Sequence, residues 1–236
     1  MATPDPTASG RSAVLRQSAS VAVATGLYGI SFGALAVAAG LNLAQTVALS
    51  MLMFTGGSQF AFIGVIGAGG SGAAAVATAG LLGARNMLYG AALAPLMGGT
   101  GLRRLAAAQV TIDESMAVAT AQRDPASART GFWWTGVGVF LLWNGFTVLG
   151  ALVGDALGDP QRWGLDAAAA AAFLGLLWPR LAGRRAQVVA GAAAAVALAL
   201  TPATPAGIPV LAAAAVAVVA GWRDPRPPLG TGAVRR

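Results

Sequence analysis

Between Leu41 and Thr100 the chain carries a single charged side chain, Arg85, among residues that are otherwise apolar or neutral. A soluble domain would have charges at roughly a quarter of its positions. Here 10% of 236 residues are charged and 56% are hydrophobic, with a mean hydropathy of +0.70. Apolar stretches of about twenty residues, the length that crosses a bilayer core, recur along nearly the whole chain. The expected fold class is therefore all-α, a polytopic transmembrane helical bundle, because in lipid the backbone must satisfy its own polar groups. A charge at the centre of a spanning helix costs roughly 2.5–3.5 kcal/mol on insertion scales, so Arg85 requires compensation from inside the protein. Its neighbour Asn86, and the adjacent acids Asp113 and Glu114, are the natural candidates.

The apolar segments fall at roughly 19–41, 43–66, 73–98, 132–154, 164–179, 186–201 and 207–221. The segment 103–122 is ambiguous because it holds Gln109, Asp113 and Glu114. All fifteen basic residues are Arg, and basic residues concentrate in cytoplasmic loops. If 103–122 crosses and the N-terminus is inside, eleven Arg lie on the cytoplasmic side and three, Arg103, Arg104 and Arg162, lie outside. Without that crossing the bias reverses. Inverting the seven-span arrangement restores it, but strands Arg11 and Arg16 outside. The expectation is seven to eight spans, with eight and both ends inside fitting the arginines best. The run 19–41 exceeds the roughly 7–15-residue core of a signal peptide and reads as the first span. One transmembrane domain, 19–222, then lies between a polar cytoplasmic tail, 1–18, and an Arg/Pro-rich cytoplasmic tail, 223–236. Trp133, Trp134, Trp163 and Trp222 fall at expected span ends, where an aromatic belt accounts for them.

The net charge of +7 carries no message about nucleic acid, since the arginines serve membrane orientation. The chain contains neither Cys nor His. That removes disulfide and thiolate chemistry together with the commonest metal ligand and general base, so no metal site and no cofactor are expected. Ser58 as an intramembrane nucleophile would need His or Lys as its base, and both are missing. No catalytic residue is assigned, and the chain reads as something other than an enzyme.

Within 43–66 lies Phe54-Thr55-Gly56-Gly57-Ser58-Gln59-Phe60. Two adjacent glycines loosen a helix, and Ser58 and Gln59 can satisfy the backbone groups set free. A broken helix near Gly56-Gly57 would turn a half-helix N-terminus towards an anionic group of a solute. The alternative is a small-residue packing groove with Ser58 and Gln59 bonding a neighbouring helix. Gly26, Gly29 and Gly33 read as close helix contacts. Asn144 is either an interhelical hydrogen bond or a site residue. On a continuous helix Gln109, Asp113, Met116 and Thr120 share one face, and Glu114 points about 100° away. If that helix spans, at least one acid pairs with Arg85 or takes up a proton, because burial disfavours the charged form.

Three motifs in order resemble the AzlC family of branched-chain amino acid permeases. They are Phe54-Thr55-Gly56-Gly57-Ser58-Gln59-Phe60; then Arg85-Asn86-Met87-Leu88-Tyr89-Gly90 with Leu93-Ala94-Pro95; then Asp113-Glu114. Gly29-Ile30-Ser31-Phe32-Gly33 and Gly40-Leu41 fit the same pattern. The resemblance covers residues 20–125 and continues beyond them mainly by hydropathy and length. It implies a multi-pass exporter in the bacterial inner membrane, driven by protons and carrying Leu, Ile, Val and also Met. It implies in addition a small hydrophobic AzlD-type membrane subunit as partner. One departure bears on substrate range: Gly83 stands where the family pattern has Asn.

A branched aliphatic zwitterion needs a partner for its carboxylate, a partner for its ammonium and an apolar pocket. Arg85, or the amides near Gly57-Ser58, could serve the first; Asp113 the second; and Met51, Phe54, Phe60 and Phe62 the third. The other possibility is that Arg85 and Asp113 pair with each other in a gating or structural role. A different class of function is a non-transporting assembly or accessory subunit of an export complex, which would tolerate loss of the polar centre.

Overall fold

The computed structural model describes residues 6–157, 174, 175 and 177–222. Most of the expected span 164–179, Trp163 and the tail 223–236 lie outside these residues. In chain order the helices are α1 (Pro6–Ala38), α2 (Leu43–Leu52), α3 (Gly56–Gly67), α4 (Gly72–Met97), α5 (Gly101–Gln109), α6 (Asp113–Thr120) and α7 (Pro125–Leu157). A 3-10 turn (Trp178–Leu181) then precedes α8 (Arg184–Leu200) and α9 (Ile208–Trp222). No strand occurs among the described residues. Two stretches, Gly10–Ala38 and Pro125–Gly154, are long and apolar enough to cross a membrane by length and composition. α1 takes in residues 6–18, which carry Arg11 and Arg16 on the same helix as the first apolar run.

Local chemistry explains where the helices start. Asn42 caps α2 through a reciprocal pair in which Gln45 N–H donates to Asn42 Oδ1 and Asn42 N–H donates to Gln45 Oε1, both at 2.9 Å. Ser71 caps α4, and Asp124 accepts from Ser127 N–H at 2.8 Å at the head of α7. That bond holds the exposed Asp124 carboxyl below the usual carboxylate range. Pro125 opens α7, where the missing N–H costs nothing.

The central contact is α1 against α7, and small residues make it possible. A methyl built on Gly29 would lie 2.5 Å from the Trp143 carbonyl oxygen, and one on Gly26 would lie 2.6 Å from Leu142 Cβ. Gly33 on α1 and Gly150 on α7 admit backbone just as close. This bears out the reading of Gly26, Gly29 and Gly33 as close helix contacts.

Two of the helical runs are interrupted. α2 ends at Leu52 and α3 starts at Gly56, so the first break lies at Met53–Thr55, immediately before the Gly-Gly pair. The run 103–122, read from sequence as one continuous segment, divides into α5 and α6 across Val110–Ile112. Three β-branched residues in succession disfavour the helix there. Ser115 Oγ accepts from Ile112 N–H at 3.0 Å and donates to the Val110 carbonyl at 2.7 Å, which stabilises the turn. Gln109 and Asp113 therefore sit on separate helices rather than on one face. Both breaks are deep in the protein: Phe54, Val110, Thr111 and Ile112 are each less than a tenth exposed. Irregular backbone at membrane depth is tolerated where it is enclosed by protein or lines a cavity.

Candidate functional site

The two interruptions meet around a cavity of about 220 Å³. α1 supplies Thr25 and Tyr28, the first break supplies Phe54 to Gly57, and Phe60 follows on α3. Ile112, Asp113 and Glu114 come from the second break, and Val139 and Trp143 from α7. The walls are mostly apolar with a few convergent polar groups, as in small-molecule sites.

The heads of α3 and α6 differ in chemistry. α6 has Asp113 and Glu114 in its own first turn, so its positive end is answered from within. α3 begins with Gly56-Gly57 and its N-cap, Thr55, makes no capping bond. The first backbone bond of α3 runs from Gln59 N–H to the Thr55 carbonyl at 3.0 Å, so the amides before it have no acceptor within the helix. Thr55 is 8% exposed, lines the cavity, and its hydroxyl has no partner among the described residues. An uncapped helix head offers unpaired N–H groups and a partial positive charge, chemistry that suits an anion.

The two acids diverge. Arg85 Nη2 on α4 lies 2.7 Å from Asp113 Oδ2, and the Tyr89 hydroxyl donates to Asp113 Oδ1 at 2.9 Å. Both oxygens of Asp113 are thus engaged by α4. Arg85 Nε is buried without an acceptor. Glu114 instead lines the cavity together with Thr25 and Tyr28 of α1. Among the described residues no cation pairs with Glu114 in direct contact.

Gln59 is fully buried and does not line the cavity. Its Nε2 donates to the Met53 carbonyl at 2.8 Å and to the Ser50 carbonyl at 3.2 Å, and its Oε1 accepts from Trp143 Nε1 at 2.9 Å. One side chain therefore terminates α2, bridges the break and aims the Trp143 indole at the cavity. Trp143 packs with Phe60 at 6.2 Å and Phe32 at 6.1 Å, and a methyl on Gly56 would lie 3.0 Å from its ring. Replacing Gln59 by Leu strands the Ser50 carbonyl and the Trp143 indole N–H, at about 1–3 kcal/mol for each buried group left unmet, while the Met53 carbonyl keeps its bond from Thr55 N–H. The expected outcome is a lower thermal midpoint than that of the parent protein. Thermal unfolding of the purified variants in detergent checks this.

Gly56, Gly57, Asp113 and Glu114, all singled out from sequence, line this cavity, with Arg85 behind Asp113. Ser58 is fully buried behind the wall, its Oγ unpartnered and close to Gly83. Asn86 lines a second cavity on the far side of the breaks. Of the expected apolar lining, Phe54 and Phe60 are present, whereas Met51 is 45% exposed and Phe62 lines neither of these two spaces. Asn144 donates within its own helix, to the Phe140 carbonyl at 2.8 Å. Sequence reasoning missed Thr25, Tyr28, Tyr89, Val139 and Trp143 as parts of the site. For the second break a signal was present: Val110-Thr111-Ile112 followed by two acids, a helix stop and then a helix start.

A family model described as AzlC protein matches residues 20–157, which takes in both interruptions and the ion pair. Neither a curated protein nor a solved structure matches the chain.

Proposed function

We propose, for a chain that belongs to the AzlC family of membrane transport proteins, that it is a secondary transporter of branched-chain amino acids. The carrying observation is the cavity itself. It offers an uncapped helix head with Thr55 for a carboxylate, Glu114 for an ammonium, and Phe54, Phe60, Val139 and Trp143 for an aliphatic side chain. Two opposite charges held apart by an apolar wall describe a neutral amino acid.

Glu114 takes the role that sequence reasoning gave to Asp113, because Asp113 is already engaged by Arg85 and Tyr89. A single carboxylate that holds either a proton or the solute's ammonium exchanges one for the other. That competition is the simplest route to proton-coupled export. The protein then crosses the bacterial inner membrane seven or eight times, with the interrupted runs as spans. A small AzlD-type subunit completes it.

The test is efflux from cells lacking branched-chain exporters, loaded with a leucine-containing dipeptide and expressing the chain with and without the small subunit. Leucine should leave faster when both are present, and collapsing the proton gradient should stop it. Correctly inserted protein with no partner-dependent efflux would overturn this reading in favour of the accessory role.

A further inference from the structure

The cavity that holds the candidate site shares a wall with a second one, larger and more open, of about 810 Å³. Phe54 and Thr55 line both spaces. At the other interruption the two adjoining residues divide between them: Thr111 faces the larger cavity and Ile112 the smaller. The septum is therefore built from the two helix breaks. Its aromatic member is Phe54, 7% exposed, whose ring meets Phe140 edge-on at 4.9 Å and 77°. The turn that carries it is closed by one short backbone bond, Thr55 N–H to the Met53 carbonyl at 2.8 Å. On the side of the larger cavity, Gln109 Nε2 donates to the Met51 carbonyl at 2.7 Å and ties the end of α5 to the end of α2.

We propose that Phe54 is the gate between a vestibule, the larger cavity, and the solute site. The route runs between the two helix interruptions. A continuous helix cannot open there without losing backbone bonds inside the protein, whereas a break has already given them up. Opening needs a swing of the Phe54 ring away from Phe140 and release of the Gln109 tie, which leaves α1 and α7 packed as they are. Phe54 acts here as a positioning and barrier residue, and Gln109 as the latch. The proposal rests on the transport reading for its purpose, but its geometry can be tested without any solute.

The chain has no native Cys, so single thiols report cleanly. Ala106→Cys places one in the vestibule and Thr25→Cys places one in the solute cavity, in the full chain co-expressed with its small subunit. Each is treated with a membrane-impermeant methanethiosulfonate reagent in right-side-out and in inverted membrane vesicles. Ala106→Cys should react from one face, and Thr25→Cys should be slow from that face. Adding Phe54→Ala should speed labelling of Thr25→Cys from the vestibule face by about tenfold or more, in proportion to the open fraction, while labelling of Ala106→Cys stays the same. Gln109→Ala should act in the same direction and more weakly. An unchanged Thr25→Cys rate in Phe54→Ala protein that still labels at Ala106→Cys overturns the gate. So does an Ala106→Cys that reacts from neither face, because the larger space is then no aqueous vestibule. If accessibility changes as expected but leucine efflux is missing from the parent chain, the gate stands and the assignment of solute falls.

Discussion

Arg85→Ala is expected to cost the folded protein about 3 kcal/mol, the lower part of the range for breaking a buried ion pair from one side. Asp113 is 12% exposed, so removing the guanidinium leaves its carboxylate in a poorly solvated place without its cationic partner. The lower figure applies because Arg85 itself is 21% exposed and water screens part of the attraction. Removing both charges together should recover most of the loss, since the penalty comes from the stranded partner more than from the missing bond. Thermal midpoints of Arg85→Ala, Asp113→Ala and the double variant form a cycle that measures the coupling directly. Strictly additive losses would show that the two groups do not sense one another. Tyr89→Phe should cost less, about 1 kcal/mol for one hydrogen bond.

Glu114→Gln is expected to leave the fold intact and reduce leucine efflux by about ten- to hundredfold. That is the fold-change corresponding to a hydrogen bond to a charged group, worth about 1.5–3 kcal/mol. Gln keeps the shape of the side chain but holds neither a proton nor an ammonium. Residual transport should therefore lose its dependence on the pH gradient. Asp113→Asn, by contrast, should depress stability more than coupling, because Asp113 is committed to Arg85. Efflux rates at several external pH values, normalised to protein in the membrane, separate the two variants. A Glu114→Gln protein with full gradient-driven efflux would remove Glu114 from the mechanism. The same outcome with Asp113→Asn impaired would return the coupling role to Asp113.

The residues that composition made conspicuous did come together. Arg85 and Asp113 lie about one helix length apart in sequence, on helices that carry few other charges, and each offers the other the opposite charge its burial requires. The Gly56-Gly57 pair announced a loosened helix, and it opens α3 directly after the break. The interruption at Val110–Ile112 was less legible. β-branched residues are ordinary in membrane helices, and the cue lies in the acids that follow rather than in the turn itself. The charge pattern of 103–122 raised the question of crossing or not crossing. The structure answers with two short helices, a form that neither alternative contained.

The sequence by itself determined the helical class, the close glycine contacts of α1 and the need for a partner at Arg85. Each of these follows from what one residue type costs in an apolar surrounding, whatever its neighbours in space. Tertiary structure alone decided that Asp113 is the acid paired with Arg85, because Asp113 and Glu114 are chemically alike and differ in what packing brings to each. It also decided that Gln59 braces the break instead of lining the cavity, and that Trp143, far along the chain, forms part of its wall. Such assignments depend on the direction in which a side chain leaves its helix and on what another helix brings to meet it. That information exists only once the segments are packed.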